Sequence, residues 1–101
     1  MITFLKAEEQ HQHKNGGGWV ANTATVEESA YIGASAQVFG YALVYGSAQV
    51  FGNACVFGNA RVFGNAWVFD NAQVYGNAWV YGNARVFGNA QVYGNDAEKA
   101  E

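Results

Sequence analysis

Residues 48–95 repeat a unit of six residues, as in AQVFGNACVFGN at 48–59 and AWVYGNARVFGN at 78–89. Outward from this stretch, the same spacing extends toward the N-terminus, where an aliphatic residue continues to occupy every sixth position. These aliphatic residues are Val20, Val26, Ile32, Val38, Val44, Val50, Val56, Val62, Val68, Val74, Val80, Val86 and Val92. Two positions before each stands a small residue, glycine in the first copy and alanine in the later ones. The unit Ala-x-Val-(Phe/Tyr)-Gly-Asn therefore defines an internal repeat of the chain.

A period of six is typical of a short strand followed by a corner. A helix would need apolar residues three and four apart, and a glycine at every sixth place costs a helix about 1 kcal/mol each time. Strand alternation places Ala and Val on one side and the residue between them on the other. The Gly-Asn pair predicts a turn, since both residues tolerate the left-handed backbone conformation. Three units close a triangle of 18 residues, and each strand pairs in parallel with its copy about 4.8 Å along the axis.

These repeats resemble the hexapeptide-repeat family, whose members wind a left-handed parallel β-helix of triangular section. The resemblance covers residues 18–95, and it alone implies the left hand, because crossovers in general favour the right. We therefore expect an all-β fold, a triangular solenoid with 18 residues per coil and about four coils. The GGGWVA segment at 16–21, with the repeats that follow it, is similar to uncharacterised phage and prophage hexapeptide-repeat proteins.

The composition predicts one domain with three parts: an N-terminal capping arm at 1–17, the β-helix at 18–95 and a polar tail at 96–101. In the arm, residues 1–5 are expected to form a strand or plug and residues 7–10 have helical tendency. Asp96 stands at an alanine position and ends the six-residue pattern. The tail either blunts the last coil by its charge or leaves that coil to be covered by another chain.

Outward residues 18 apart are expected to stack on one another. We predict hydrogen-bonded amide ladders along the corners, made of Asn53, Asn71 and Asn89; Asn59, Asn77 and Asn95; and Asn65 with Asn83. We also predict one aromatic ladder on each face, made of Phe39, Phe57, Tyr75 and Tyr93; Tyr45, Phe63 and Tyr81; and Phe51, Phe69 and Phe87. Two tryptophans and two arginines share the other outward row of the second and third faces.

The outward aromatic residues are the strongest functional signal. Stacked rings stabilise neighbouring coils by about 0.2–1 kcal/mol a pair, but ten rings exceed the apolar area that soluble monomers usually expose. Charges are sparse in the later coils, and aromatic, charge-poor surface with a few arginines is typical of interface cores. We therefore predict a non-catalytic structural and protein-interaction module that self-associates as a dimer or trimer or docks a protein partner. The predicted interaction residues are Phe51, Phe63, Phe69, Tyr81, Phe87, Trp67, Trp79, Arg61 and Arg85.

Partner classes and compartment follow from composition. A net charge of −3 with five basic residues argues against nucleic acid. The apolar runs are far shorter than the roughly 20 residues of a membrane span, and the N-terminus does not resemble a signal peptide. One cysteine, Cys55, excludes an internal disulfide framework and is typical of a reducing cytosol, so we predict a cytoplasmic protein. The phage resemblance implies the host cytoplasm, with a host or virion protein as partner.

An enzyme is the alternative that the resemblance implies, because many members of the family are acyltransferases that act with coenzyme A or acyl-carrier protein. They use a histidine base in a cleft built by loops that interrupt the repeat. In this chain the register is unbroken from Val20 to Val92 and the repeats contain no histidine, so such an enzyme would have to use His11 or His13 of the arm. A third alternative is a consensus repeat with no native task.

Histidines 11 and 13 are also the only candidate metal pair, because alternate residues of a strand point the same way. We interpret them instead as solvated polar residues of the cap, and Cys55 as a passive surface thiol without a neighbouring base. We therefore predict no catalytic residue, no cofactor and no metal.

Overall fold

The fold is known from a computed structural model that describes residues 10–95 and 97–100, with only the backbone described for 98–100. The strand or plug predicted for residues 1–5 lies outside the described residues, and so do residues 7–9 of the predicted helical stretch. Gln10, the last residue of that stretch, begins a strand instead. The capping role of the first nine residues therefore stays a prediction.

Fifteen short strands follow one another along the chain, and no helix occurs in the described part. Correspondingly, none of these residues forms a helix with the length and apolar character needed to cross a membrane. The strands are β1 (Gln10–Gln12), β2 (Trp19–Ala21), β3 (Thr25–Val26), β4 (Tyr31–Ile32), β5 (Gln37–Val38), β6 (Leu43–Val44), β7 (Gln49–Val50), β8 (Cys55–Val56), β9 (Arg61–Val62), β10 (Trp67–Val68), β11 (Gln73–Val74), β12 (Trp79–Gly82), β13 (Arg85–Val86), β14 (Gln91–Val92) and β15 (Ala97–Ala100).

The strands form three parallel sheets, one for each face of the solenoid. The first face contains β2, β5, β8, β11 and β14, the second contains β3, β6, β9, β12 and β15, and the third contains β4, β7, β10 and β13. Every parallel pair joins residues 18 apart, as in Cys55 with Gln73 and Trp67 with Arg85. The predicted all-β solenoid with 18 residues per coil and about four coils is confirmed.

The coils rise evenly, without a jump at any corner. In the strands, Phe57 N–H donates to the carbonyl of Val74 at 2.9 Å. In the corners, Asn59 N–H donates to the carbonyl of Gly76 at 2.8 Å, with the same offset of 17 residues. Strands and corners therefore belong to one continuous hydrogen-bonded ramp.

The core is the narrow column that the sequence predicts. Valines at the strand centres from Val38 to Val80 are fully buried, and the alanines from Ala30 to Ala78 are buried with them. Val and Ala fill the interior because the residue between them points outward, as strand alternation requires. Burial of these small apolar side chains is the main stabilising contribution of each coil.

The turns predicted at the Gly-Asn pairs are present, and within each pair it is the glycine that adopts the left-handed conformation. Among the described residues only Asp70, which replaces a glycine, combines a side chain with a positive φ (60°). Gly58 has φ +68°, and a Cβ added to it would lie 2.9 Å from the backbone nitrogen of Gly76. Asp70 is tolerated because Asp is among the few residues that adopt this conformation, and its Oδ2 accepts a hydrogen bond from Gly88 N–H at 3.1 Å.

The predicted amide ladders are wrong in their bonding. The asparagine side chains of the corners are exposed, and within the described part of the chain none of them donates to another asparagine side chain. Their backbone N–H groups donate instead, as in Asn53 to the Asp70 carbonyl at 2.8 Å and Asn77 to the Gly94 carbonyl at 2.7 Å. The backbone already joins the corners, so the amides are left to solvent.

At the N-terminal end of the solenoid, described residues of the arm cover the first strands of two faces. Strand β1 pairs antiparallel with β2, which covers the first face. Residues 15–18 lie along β4, where Ile32 N–H donates to the Asn15 carbonyl at 3.0 Å and Gly18 N–H donates to the Ile32 carbonyl at 2.8 Å. The approach is close, since a Cβ on Gly18 would clash with Cγ2 of Ile32. The glycine run at 16–18 therefore lets the chain lie flat on the first coil.

At the C-terminal end the sheet continues beyond the six-residue pattern. Strand β15 pairs in parallel with β12, from Trp79 with Ala97 to Gly82 with Ala100. The boundary after Asn95 is therefore a boundary of the sequence pattern, while the backbone pairing of the second face runs past it. Asp96 and Glu101 of the predicted tail lie outside the described residues.

Candidate functional site

The first face carries the longest aromatic ladder. Ring centroids lie 4.7 Å apart for Phe39 and Phe57, 4.9 Å for Phe57 and Tyr75, and 5.4 Å for Tyr75 and Tyr93. The interplanar angles are 2°, 6° and 12°, so the rings stack almost parallel. Each ring covers the face of the next and turns its edge to solvent.

The second and third faces carry the other two predicted ladders. On the second, Phe63 stacks between Tyr45 at 4.9 Å and Tyr81 at 5.2 Å. On the third, Phe69 stacks between Phe51 at 5.0 Å and Phe87 at 5.5 Å. Contacts of this kind contribute about 0.5–1.5 kcal/mol a pair beyond area burial. Stacking within the chain is therefore one role of these rings.

Trp79 anchors a cluster on the second face. Its ring meets Phe63 edge to face at 5.8 Å and Tyr81 at 6.5 Å. Arg61, its partner one coil earlier, places its guanidinium 5.4 Å from the ring centroid. The indole and guanidinium are held against the ladder, and 44% of Trp79 remains exposed.

Trp67 has the matching position on the third face. Its ring meets Phe51 at 5.7 Å and Phe69 at 6.3 Å, both edge to face. The Arg85 guanidinium lies 4.2 Å from the Trp67 centroid. Arg85 Nη1 also donates to the carbonyl of Asn83 at 2.9 Å. Arg85 is therefore fixed between an aromatic ring and the corner where the second face meets the third.

The structure divides the predicted interaction residues between two faces. Arg61, Phe63, Trp79 and Tyr81 lie together on the second face, and Phe51, Trp67, Phe69, Arg85 and Phe87 lie together on the third. Both arginines, Trp79 and Phe87 are exposed, whereas the remaining five are half-buried. The two patches share the corner at Gly82 and Asn83 but point in different directions. Each of them presents ring edges and guanidinium groups to solvent.

Three further exposed aromatic residues were missed by the sequence analysis. Trp19 and Tyr31 stand in the outward row of the first coil, and Tyr41 is 69% exposed at a corner. All three lie outside the position that follows the valine, on which the ladder prediction depended. The signal for Tyr41 was available, because it takes the place of asparagine in the repeat.

The two histidines of the arm do not form a pair. His11 is exposed and its Nδ1 lies 2.7 Å from Oδ1 of Asn22. His13 is only 6% exposed, and its Nε2 lies 2.8 Å from the carbonyl oxygen of Ala30. A carbonyl only accepts, so Nε2 of His13 carries the proton. The prediction that His13 is a solvated cap residue is therefore wrong, because it fastens the arm to the first coil.

No candidate metal centre emerges from the part of the chain that the structure describes, since no three His, Cys, Asp or Glu side chains come close enough to share an ion. The two histidines therefore have no third ligand among these residues.

The sequence analysis expected Cys55 to be a surface thiol, but the structure buries it. It is 1% exposed, and burial raises the pKa of its thiol above the usual value of 9.0. Cys55 stands in its outward row between the longer side chains of Gln37 and Gln73, which explains its burial. A raised pKa keeps the sulfur protonated, and the thiol is the unreactive form.

The comparison with protein families agrees with this geometry. The model of the YdcK β-solenoid repeat matches residues 56–70, 72–86 and 78–94, all of them in the regular coils. These residues form β-solenoid repeats. No curated protein and no solved structure matches the chain. A β-solenoid repeat is typical of a structural module, and the fold by itself assigns no reaction.

Proposed function

We propose that this chain is a non-catalytic interaction module whose second and third faces bind a second copy of the chain or another protein. The observation that carries the proposal is the pair of Trp–Arg clusters, each held rigidly against an aromatic ladder with its outer edge exposed. Trp, Tyr and Arg are the residues most enriched at the energetic centres of interfaces. The two Trp–Arg clusters therefore support protein contact on both faces.

Rigidity strengthens this role. Every coil is joined to the next by backbone hydrogen bonds, and the rings of the ladders are clamped by their neighbours. Little conformational entropy is therefore lost when such a face binds. A standard interface takes about 800 Å² from each partner, a small share of the 5459 Å² that the chain exposes. One face supplies a surface of this order.

The charges of the two faces narrow the kind of partner. Arg61 and Arg85 are the cations of the regular coils. The carboxylate of Asp70 already accepts a hydrogen bond from the backbone N–H of Gly88 in the next coil. A partner that offers apolar side chains around one or two carboxylates fits this surface. On the resemblance of the GGGWVA segment and its repeats to phage and prophage proteins, which the sequence alone suggests, we propose a virion component or a host protein as the partner, in the cytoplasm.

The acyltransferase alternative has less support from the geometry. His13 is occupied by the Ala30 carbonyl, which leaves His11, bonded to Asn22, as the candidate base. The arm places neither of them beside the aromatic clusters of the later coils. Thermal shift with coenzyme A tests this alternative, since a transferase predicts stabilisation by the cofactor.

The proposal is tested by the mass of the chain in solution across a hundredfold dilution. The variant Phe63→Ser/Trp79→Ser removes the centre of the second-face cluster, and we expect it to have a lower mass than the wild type at equal concentration. The matched control is Phe57→Ser/Gln73→Ser, which makes equivalent changes on the first face and retains the wild-type mass. Far-ultraviolet circular dichroism reports that each variant keeps its sheets. Equal masses for wild type and the second-face variant at all concentrations contradict self-association through the second face.

A further inference from the structure

The two ends of the solenoid differ in which of their terminal strands are covered by other residues of the chain. At the N-terminal end, β1 covers β2 in antiparallel fashion and residues 15–18 cover β4. At the C-terminal end, β15 covers β12 of the second face. Within the described residues nothing covers β13 of the third face or β14 of the first. All three faces therefore end at a strand, β13, β14 or β15, whose outer edge no described strand pairs with.

The bare edges leave backbone donors without an acceptor. In the middle coils, Trp67 N–H donates to the Ala84 carbonyl and Gln73 N–H to the Ala90 carbonyl, at 2.9 and 3.0 Å. One coil later, the N–H groups of Arg85 and Gln91 point the same way, and the described chain offers them no carbonyl. Unpaired edges of this kind are templates for another strand.

The same end also exposes apolar surface. A cavity of about 320 Å³ opens between β13 and β14, and it is lined by Arg85, Val86, Phe87, Ala90, Gln91 and Val92. At the corners, a Cβ added to Gly88 or Gly94 would meet nothing within 4 Å, whereas one on Gly76 would lie 2.7 Å from Gly94 N. At this end, the backbone N–H groups, the corner glycines and the apolar side chains that line the cavity therefore all lack the contacts that a further coil would make.

The shape of this end makes it complementary to itself. Strands lie about 4.8 Å apart, so an even ramp rises about 1.6 Å on each of three sides. Strand β13 is therefore the lowest step, β14 the middle one and β15 the highest. A two-fold axis that runs at right angles to the solenoid, half a strand spacing beyond β14, sets the highest step of one copy over the lowest step of the other. The gap is then one strand spacing on all three sides.

We propose that two copies of the chain pair end to end through this ramp. Strand β14 adds to β14 of the second copy, and β15 of each copy adds to β13 of the other. The two-fold axis reverses strand direction, so the new pairs are antiparallel, and β1 shows that the edge strand of the first face accepts an antiparallel partner. The N–H groups of Arg85 and Gln91 gain acceptors, and the cavity is closed by the second copy.

This pairing uses the end of the solenoid rather than its sides, and it shares only Arg85 and Phe87 with the proposed lateral contacts. The test therefore uses a starting chain in which the second-face variant also carries Trp67→Ser, so that the centres of both lateral clusters are removed. With the lateral contact removed, we expect a dimer of twice the 10.9 kDa of one chain. A wild type that uses both surfaces is larger than this dimer.

The first variant of this starting chain disrupts the end-to-end contact at Gln91. Proline at position 91 removes the N–H that would donate to a carbonyl of the second copy. Proline is also tolerated on an edge strand. We expect Gln91→Pro to raise the dimer dissociation constant about 100-fold, because both copies lose the bond. The matched control is Gln91→Ser, which alters the outward side chain, keeps the N–H and leaves the dimer intact.

A second variant covers the case in which Gln91→Pro fails to fold. Ala90 is exposed in the cavity, so Ala90→Glu is compatible with the monomer and places two like charges across the contact. We expect this variant to be monomeric with unchanged circular dichroism. A starting chain that is monomeric at all concentrations overturns the end-to-end pairing, and so does a dimer that survives Ala90→Glu or a folded Gln91→Pro.

Discussion

The middle coils and the last coil have nearly the same sequence but different surroundings. VFGNA occurs at 56–60 and again at 86–90. In the first copy Ala60 is completely buried, whereas Ala90 in the second is exposed. Phe69 is half-buried between two rings, and Phe87, the next ring of its ladder, is 55% exposed.

The difference shows that each coil is buried by its neighbours. Local sequence sets the strand, the corner and the side to which each residue points, but the following coil supplies acceptors, ring faces and core contacts. This is the nearest-neighbour behaviour of repeat proteins. Equivalent substitutions in the two regions should therefore differ in cost by the contribution of one neighbouring coil.

The largest difference is expected for glycine at the corners. Gly58 and Gly88 have nearly equal φ, +68° and +66°, so both lose about 1–2 kcal/mol to the left-handed backbone on substitution by alanine. Only Gly58 has backbone 2.9 Å from the added Cβ. We expect Gly58→Ala to lower the free energy of unfolding by about 3–5 kcal/mol or to prevent folding. Gly88→Ala loses only the backbone contribution. Urea unfolding of both variants checks this, and equal losses contradict the account of the corners.

The next largest difference is expected in the core. Val56 is fully buried and packed from both sides, while Val92 belongs to the last coil of the first face. Val56→Ala should cost about 2–3 kcal/mol, which includes an enclosed cavity. Val92→Ala should cost about half as much, since its cavity opens to solvent. Thermal unfolding measured on monomeric protein gives both values. A larger loss for Val92 would show that the last coil is covered even in the monomer.

A smaller difference is expected along the aromatic ladder. Phe57 stacks on Phe39 at 4.7 Å and on Tyr75 at 4.9 Å, whereas Tyr93 stacks only on Tyr75, at 5.4 Å, in the described residues. Phe57→Leu keeps a large apolar side chain and removes two ring contacts, so we expect a loss of about 1–2 kcal/mol. Tyr93→Leu removes one contact and should lose about half of that. Losses of equal size would indicate that stacking is not what the ladder contributes.

The smallest difference is one of reactivity and does not involve stability. Cys55 and Gln91 occupy the same outward row of the first face, two coils apart. Because burial raises the pKa of the Cys55 thiol, less thiolate is present at any given pH. Alkylation of Cys55 at pH 8 should therefore be slower, on the order of tenfold, than alkylation of a cysteine introduced at the exposed site by Gln91→Cys in a Cys55→Ala chain. The rates are measured by mass spectrometry, and a fast Cys55 contradicts its burial.

Much of the fold was predictable because one pattern acts at every level. The period of six determines the strand, the inward valine and the corner glycine, and its multiple of 18 determines which residues stack. This is why the two tryptophans and two arginines were expected on the second and third faces, where the structure places them. Departures occur where contacts leave the pattern. The antiparallel strand β1 and the buried His13 depend on the arm folding back, which no periodicity reports.

Side-chain partners inside the pattern were harder to predict than positions. Spacing correctly aligned the corner asparagines, but their bonding depends on competition with the backbone, which already joins the corners. The pattern puts Cys55 in an outward row, but its burial depends on the length of the side chains at Gln37 and Gln73. In both cases the outcome depends on neighbours in three dimensions, which the six-residue unit alone does not specify.

Amide hydrogen exchange of the last coil as a function of protein concentration tests most directly that this coil is an open edge completed by a second copy. The account predicts that the N–H groups of Trp67 and Gln73 are protected at every concentration, because their acceptors lie within the chain. It predicts that Arg85 and Gln91 exchange rapidly in dilute protein and become protected as the dimer forms. Rapid exchange of Arg85 and Gln91 at all concentrations, or slow exchange in the dilute monomer, would contradict it.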